Sequence, residues 1–79
     1  MGTHIHVSGL SYFCTDDKLR QAFIPFGTVA LAHVLRDECG HFLGLGIVHM
    51  VRSEDVKRVF NVQHFFKVSG MRVDLWEAA

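Results

Sequence analysis

The run Leu43-Gly44-Leu45-Gly46-Ile47-Val48-His49-Met50 restricts what this chain can fold into more than any other segment. Read as a strand, it places Gly44, Gly46, Val48 and Met50 on one face and Leu43, Leu45, Ile47 and His49 on the other. Glycines on one face permit close packing by a second layer, while aliphatics on the other form a surface poorly suited to bare water. Ile5-His6-Val7-Ser8-Gly9-Leu10 has the same period, with Ile5 and Val7 on one face and His4, His6 and Ser8 on the other. A chain of 79 residues can build one small core around two such strands.

The remaining elements follow from periodicity. His4 to Ser8 is the first strand. Thr15 is a plausible N-cap with Asp16 and Asp17 in the first helical turn, and Leu19, Ala22, Phe23 and Phe26 form one apolar helical stripe closed by Pro25 and Gly27. Val29 to Leu35 is the second strand, Arg36 to Gly40 a polar hairpin loop, and Leu43 to Met50 the third strand. Ser53 is expected to cap a second helix that buries Val56, Val59 and Phe60. Phe65 to Val68, the turn Ser69-Gly70 and Met71 to Trp76 read as a final hairpin whose second arm is strand four. The order β-α-β-β-α-β predicts an α+β, ferredoxin-like sandwich: a four-stranded antiparallel sheet with two helices on one face. The other face is left for solvent or a partner.

Composition narrows the class. With 49 % apolar residues, seven Phe and a single proline, the chain reads as one ordered domain over 1–79 with its core at about 4–76, and as a piece of a longer protein. No apolar run approaches the ~20 residues of a membrane span, so no membrane partner is expected. The opening residues lack the basic and long apolar regions of a signal peptide. Cys14 and Cys39 fall in two loops, and two unpaired thiols fit a reducing, intracellular compartment, whether nuclear, cytoplasmic or mitochondrial. The six His residues are scattered, with no Cys-x-x-Cys and no His-x-x-x-His, so neither a metal nor another cofactor is expected. Eight Lys/Arg balance eight Asp/Glu, which argues against strong non-specific attachment to a phosphate backbone.

Ile5 to Leu10 and Leu43 to Met50 resemble the hexamer and octamer strand motifs of the RNA recognition motif family. The segment Thr15 to Gly27 is similar to that family's first helix and closing Phe-Gly, and Gly70 to Leu75 to its approach into the last strand. The resemblance covers about residues 4 to 76. A narrower likeness links Gly44 to Val48 and the second-helix region to mitochondrial stem-loop-interacting RNA-binding proteins. The resemblance implies single-stranded RNA as partner, read on the open sheet face. It also implies base stacking at the positions of His6, Leu45 and Ile47, where the family carries Phe or Tyr.

Only His6 has a ring there, so affinity is expected to be weak. Leu43 replaces a basic residue and Asp74 adds a negative charge. Strand parity adds His4, His33, His49, Arg72 and Trp76 to the candidate face, with Phe42 flanking it. Protonation of the four histidines His4, His6, His33 and His49 would make the face basic as pH falls. Singly, each of these histidines, Trp76 and Phe42 also reads as an ordinary strand or hairpin residue. Leu43, Leu45 and Ile47 together suggest a covered face, so a protein-interaction module of the same fold is the alternative. Its tryptophan-peptide subclass is disfavoured because His64-Phe65-Phe66 lacks an arginine. No catalytic triad, phosphate loop or small-molecule site is legible, and an acylphosphatase-like enzyme would need an arginine cradle after the first strand.

Overall fold

A computed structural model describes residues 2–78, so the two terminal residues of the 1–79 assignment lie outside it. Strand β1 (His4–Ser8) leads to helix α1 (Asp16–Phe23), which tightens into a 3₁₀ turn at Ile24–Phe26. Strands β2 (Val29–Arg36) and β3 (Phe42–Met50) follow, then helix α2 (Ser53–Asn61) and a 3₁₀ turn at Gln63–Phe65. Three short strands close the chain: β4 (Lys67–Val68), β5 (Met71–Arg72) and β6 (Asp74–Glu77). The main sheet is antiparallel in the order β2-β3-β1-β6, and β4 and β5 form a separate two-stranded hairpin.

Thr15 caps α1 as expected, its hydroxyl accepting from the Lys18 amide at 3.2 Å. Helix α2 departs from expectation. Ser53 is its first helical residue, Arg52 occupies the cap position, and no side chain caps the helix there. Glu54 and Asp55 still supply acidic charge to the first turn.

The final hairpin is also corrected. Phe65 lies in the 3₁₀ turn and is exposed, and the arm expected to run from Met71 to Trp76 divides at buried Val73. Met71 and Arg72 pair with Val68 and Lys67, whereas Asp74 to Glu77 pair with β1. The Ser69-Gly70 turn has positive φ at both residues, as a tight two-residue hairpin requires.

The core lies between the sheet and the helices. Ile5, Val7, Val48, Met50, Val34 and Leu75 come from the sheet, Leu19 and Phe23 from α1, and Val56 and Val59 from α2. Phe66 seals one end against Phe23, with ring centroids 4.7 Å apart. Cys14, though in a loop, is buried among these residues.

Two glycines let the layers meet. A Cβ on Gly46 would come within 2.9 Å of Leu19 Cδ2 and 3.0 Å of Leu10 Cδ1, so these two side chains pack almost directly on the β3 backbone. Gly27 has φ +154°, and a Cβ there would collide with the carboxylate of buried Asp55. We expect Gly27→Ala to lower stability by roughly 1–3 kcal/mol from backbone strain alone, with the clash adding to it. Gly40 also has positive φ but has open space around it, so Gly40→Ala should cost only ~1 kcal/mol. Urea unfolding of both variants would check the ranking.

Candidate functional site

Strand register arranges the uncovered face into three rows. Leu31, His49 and His4 form the first, His33, Ile47, His6 and Trp76 the second, and Leu45, Ser8 and Asp74 the third. Ring-bearing side chains gather on β1 and its neighbours. The His4 and His49 imidazoles lie 3.8 Å apart between centroids, and His6 lies 5.6 Å from the Trp76 ring. Aliphatics hold the β2–β3 side. Leu31, Leu43 and Leu45 are 41 %, 48 % and 36 % exposed, and Ile47 is half-buried between them and His6.

Burial, and then the neighbouring His4 and His6 charges, hold the His49 imidazole below its ordinary pKa. A face carrying adjacent histidines therefore resists becoming fully cationic.

His33 keeps the place on the open face that strand parity gives it, and its ring also meets a carboxylate at the sheet edge. Its Nδ1 lies 3.3 Å from Asp16 Oδ2, at the outer edge of β2. The other Asp16 oxygen accepts the Val34 amide at 2.7 Å, covering a donor that an edge strand would otherwise leave to another chain. That amide, with the His33 contact, holds the Asp16 carboxyl below the usual range. A shallow hollow of about 360 Å³ opens at this edge, lined by Cys14, Thr15, Asp16, His33, Val34 and Arg36.

Two further expectations change. Phe42 is partly buried against the core rather than free beside the sheet, with Tyr12 edge-on at 5.4 Å and the Arg36 guanidinium 5.9 Å from its ring centroid. The cause is strand parity: Phe42 shares the helix-facing side of β3 with Gly46, Val48 and Met50. Arg72 is exposed but belongs to the β4–β5 hairpin, outside the main sheet.

Tyr12 and Phe13 were not singled out by sequence, yet they are 68 % and 77 % exposed in the β1–α1 loop, with rings 5.4 Å apart. The signal was an aromatic pair in a loop between a strand and a helix cap, where no buried face awaits it.

A family model described as RNA recognition motif matches residues 5–74. The polyadenylate-binding protein, cytoplasmic and nuclear, of Eremothecium gossypii is 33 % identical over 69 residues, covering 87 % of this chain and 12 % of that protein. The mitochondrial organelle RRM domain-containing protein 2 of Arabidopsis thaliana is 44 % identical over 54 residues, covering 67 % of this chain and 35 % of that one. The chain thus spans only a minor part of these relatives' length. Among solved structures, the RNA binding domain of Hrp1 in complex with RNA superimposes with a TM-score of 0.84 at 26 % identity, covering 99 % of this chain and 46 % of that chain.

In an NMR titration His49 should ionise below the ordinary imidazole value of 6.5, and His4→Gln should move it up only in part, because burial is the larger cause. The folded pKa is depressed, so this residue's contribution to stability is complete above pH 6.5 and is lost as pH falls through the lowered value. His49→Gln should therefore lose less urea stability than the parent chain between about pH 7.5 and about pH 5.

Proposed function

We propose, because this chain belongs to the RNA recognition motif family, that it binds single-stranded RNA weakly through its uncovered sheet face and the loops at its end. The observation that carries this reading is the pairing of half-buried His6 with exposed Trp76 on adjacent strands of that face. An indole and an imidazole side by side offer flat surfaces on which unpaired bases stack. Tyr12 and Phe13 add two exposed rings in the β1–α1 loop. The relatives' names, and the RNA held in the Hrp1 structure, support RNA as the ligand class. Cytoplasmic, nuclear and mitochondrial relatives support an intracellular site.

Weak affinity follows from what is missing. Leu45 and Ile47 have no π face, so about 1–3 kcal/mol per stacked base is forfeited at each. The chain carries no net charge with neutral histidines, so little counterion release assists binding. Asp74 places a carboxylate on the same face as Ser8 and Leu45.

The exposure of Leu31, Leu43 and Leu45 favours a second reading, in which a protein segment covers the β2–β3 side. Ile47→Asp separates the two. It should abolish protein recruitment while changing RNA affinity little if the second reading is right.

Titration with short mixed oligonucleotides is expected to perturb His6, Trp76, Tyr12 and Phe13 resonances. The double substitution Leu45→Tyr with Ile47→Phe should tighten binding by about 1–3 kcal/mol per base newly stacked. Unchanged affinity in a normally folded double variant would remove the sheet as the RNA surface.

A phosphate backbone near His4, His6 and His49 attracts the charged imidazoles, so protonation of this face and RNA binding favour one another. RNA should accordingly bind more tightly at about pH 6 than at about pH 7.5, with a steeper salt dependence at the lower pH. His6→Gln with His49→Gln should flatten both trends in a fluorescence-anisotropy titration.

A further inference from the structure

The loop joining β2 to β3 carries donors of three kinds within five residues: the Asp37 carboxylate, the Cys39 thiol and the His41 imidazole. All three are exposed, and one ligand atom from each lies within 4.8 Å of the others. The loop is held by its own backbone. The Asp37 amide donates to the His41 carbonyl at 3.0 Å, the Gly40 amide donates to the Asp37 carbonyl at 2.9 Å, and Gly40 has φ +84°. Asp37 Oδ1 accepts the Cys39 and His41 amides at 2.9 and 2.8 Å, leaving Oδ2 facing His41 Nδ1 at 3.0 Å. Residues at alternate positions of this turn thus converge on one side of it.

We propose that this loop binds one thiophilic divalent cation of the zinc class through Asp37 Oδ2, Cys39 Sγ and His41 Nδ1, with water as the remaining ligand. Tetrahedral zinc, with Zn–S of about 2.3 Å and Zn–N of about 2.0–2.1 Å, separates neighbouring ligand atoms by about 3.3–3.6 Å. The carboxylate–imidazole pair is already that close, and the exposed Cys39 side chain closes the remaining gap by rotation about its own bonds. On binding, Cys39 releases its thiol proton to solvent and its sulfur lone pair forms the metal bond. His41 carries its remaining proton on Nε2, and the ion replaces the hydrogen bond to Asp37. Nitrogen, sulfur and oxygen donors together select zinc, cobalt or nickel over magnesium and calcium, which require oxygen ligands. The donors lie at the hairpin tip, away from the rows of the open face, so the assignment stands independently of RNA binding.

The test uses the full chain under a non-chelating phosphine reductant, titrated with Co²⁺ and Zn²⁺. The expected result is one ion per chain, a near-ultraviolet thiolate-to-cobalt charge-transfer absorption, and zinc-induced amide shifts confined to residues 36–42. Cys39→Ser should abolish the absorption, and Cys39→Ser and His41→Gln should each weaken zinc binding about tenfold or more. Glu38→Gln, in the same exposed loop but outside the donor set, should bind as the parent does. Matched urea midpoints will establish that the variants fold. The proposal is overturned if no thiolate absorption develops, if Cys39→Ser and His41→Gln bind zinc like the parent chain, or if Glu38→Gln weakens binding as much as they do.

Discussion

The packing of the Leu19 and Leu10 side chains against the bare backbone of Gly46 in β3 is the contact on which the rest of the architecture depends. With no side chain there, Leu19 and Leu10 reach the strand backbone, and Leu19 and Phe23 of α1 join Ile5, Val7 and Val48 in one buried core. A Cβ there would press on the Leu19 and Leu10 side chains, which would have to give by a few tenths of an ångström within a close-packed layer. The second seam, where Asp55 of α2 lies against Gly27, positions the other helix by the same device. Both helices are thereby committed to one face. The sheet's other face is uncovered as a consequence of this packing, and its side chains are free to differ without disturbing the core.

That freedom is visible in the composition of the face. Its rings are concentrated in two pairs, His4 with His49 and His6 with Trp76, and aliphatic side chains occupy the β2–β3 side. The two halves suit different chemistry: flat rings accept bases, and branched aliphatics accept apolar groups. Electrostatics keep the face near neutrality, because burial and mutual repulsion disfavour charge on His49.

The sheet edge and the hairpin tip show one carboxylate device used twice. Asp16 ties α1 to the edge of β2 by accepting the Val34 amide, and Asp37 organises the β2–β3 turn by accepting the Cys39 and His41 amides. In each case an imidazole takes up the second carboxylate oxygen. Backbone hydrogen bonding to the ionised form is the leading cause of the lowered carboxyl pKa in both. At Asp16 the device engages His33, which the register keeps in the second row of the open face.

The sequence by itself determined the element order, the inward and outward sets of β1 and β3, and the Thr15 cap, because these depend on local period and local hydrogen bonding. It was equally sufficient for His6, Leu45 and Ile47, which lie in regular strand where parity cannot slip. Phe42 lies five residues before outward-facing Ile47, so strand parity already puts it on the helix side, where it packs against the core. Tertiary structure decided the rest. His33 turns to Asp16, seventeen residues earlier in the chain, and a contact of that range leaves no trace in periodicity. The strand expected from Met71 to Trp76 divides at Val73 because one half finds its hydrogen-bond partner in β4 and the other in β1. The donors of the β2–β3 loop match no ligand spacing in the linear chain and are brought together only by the fold of the turn. Period is a property of neighbours along the chain, whereas partner choice is settled only when distant segments compete for the same hydrogen bonds and the same buried space.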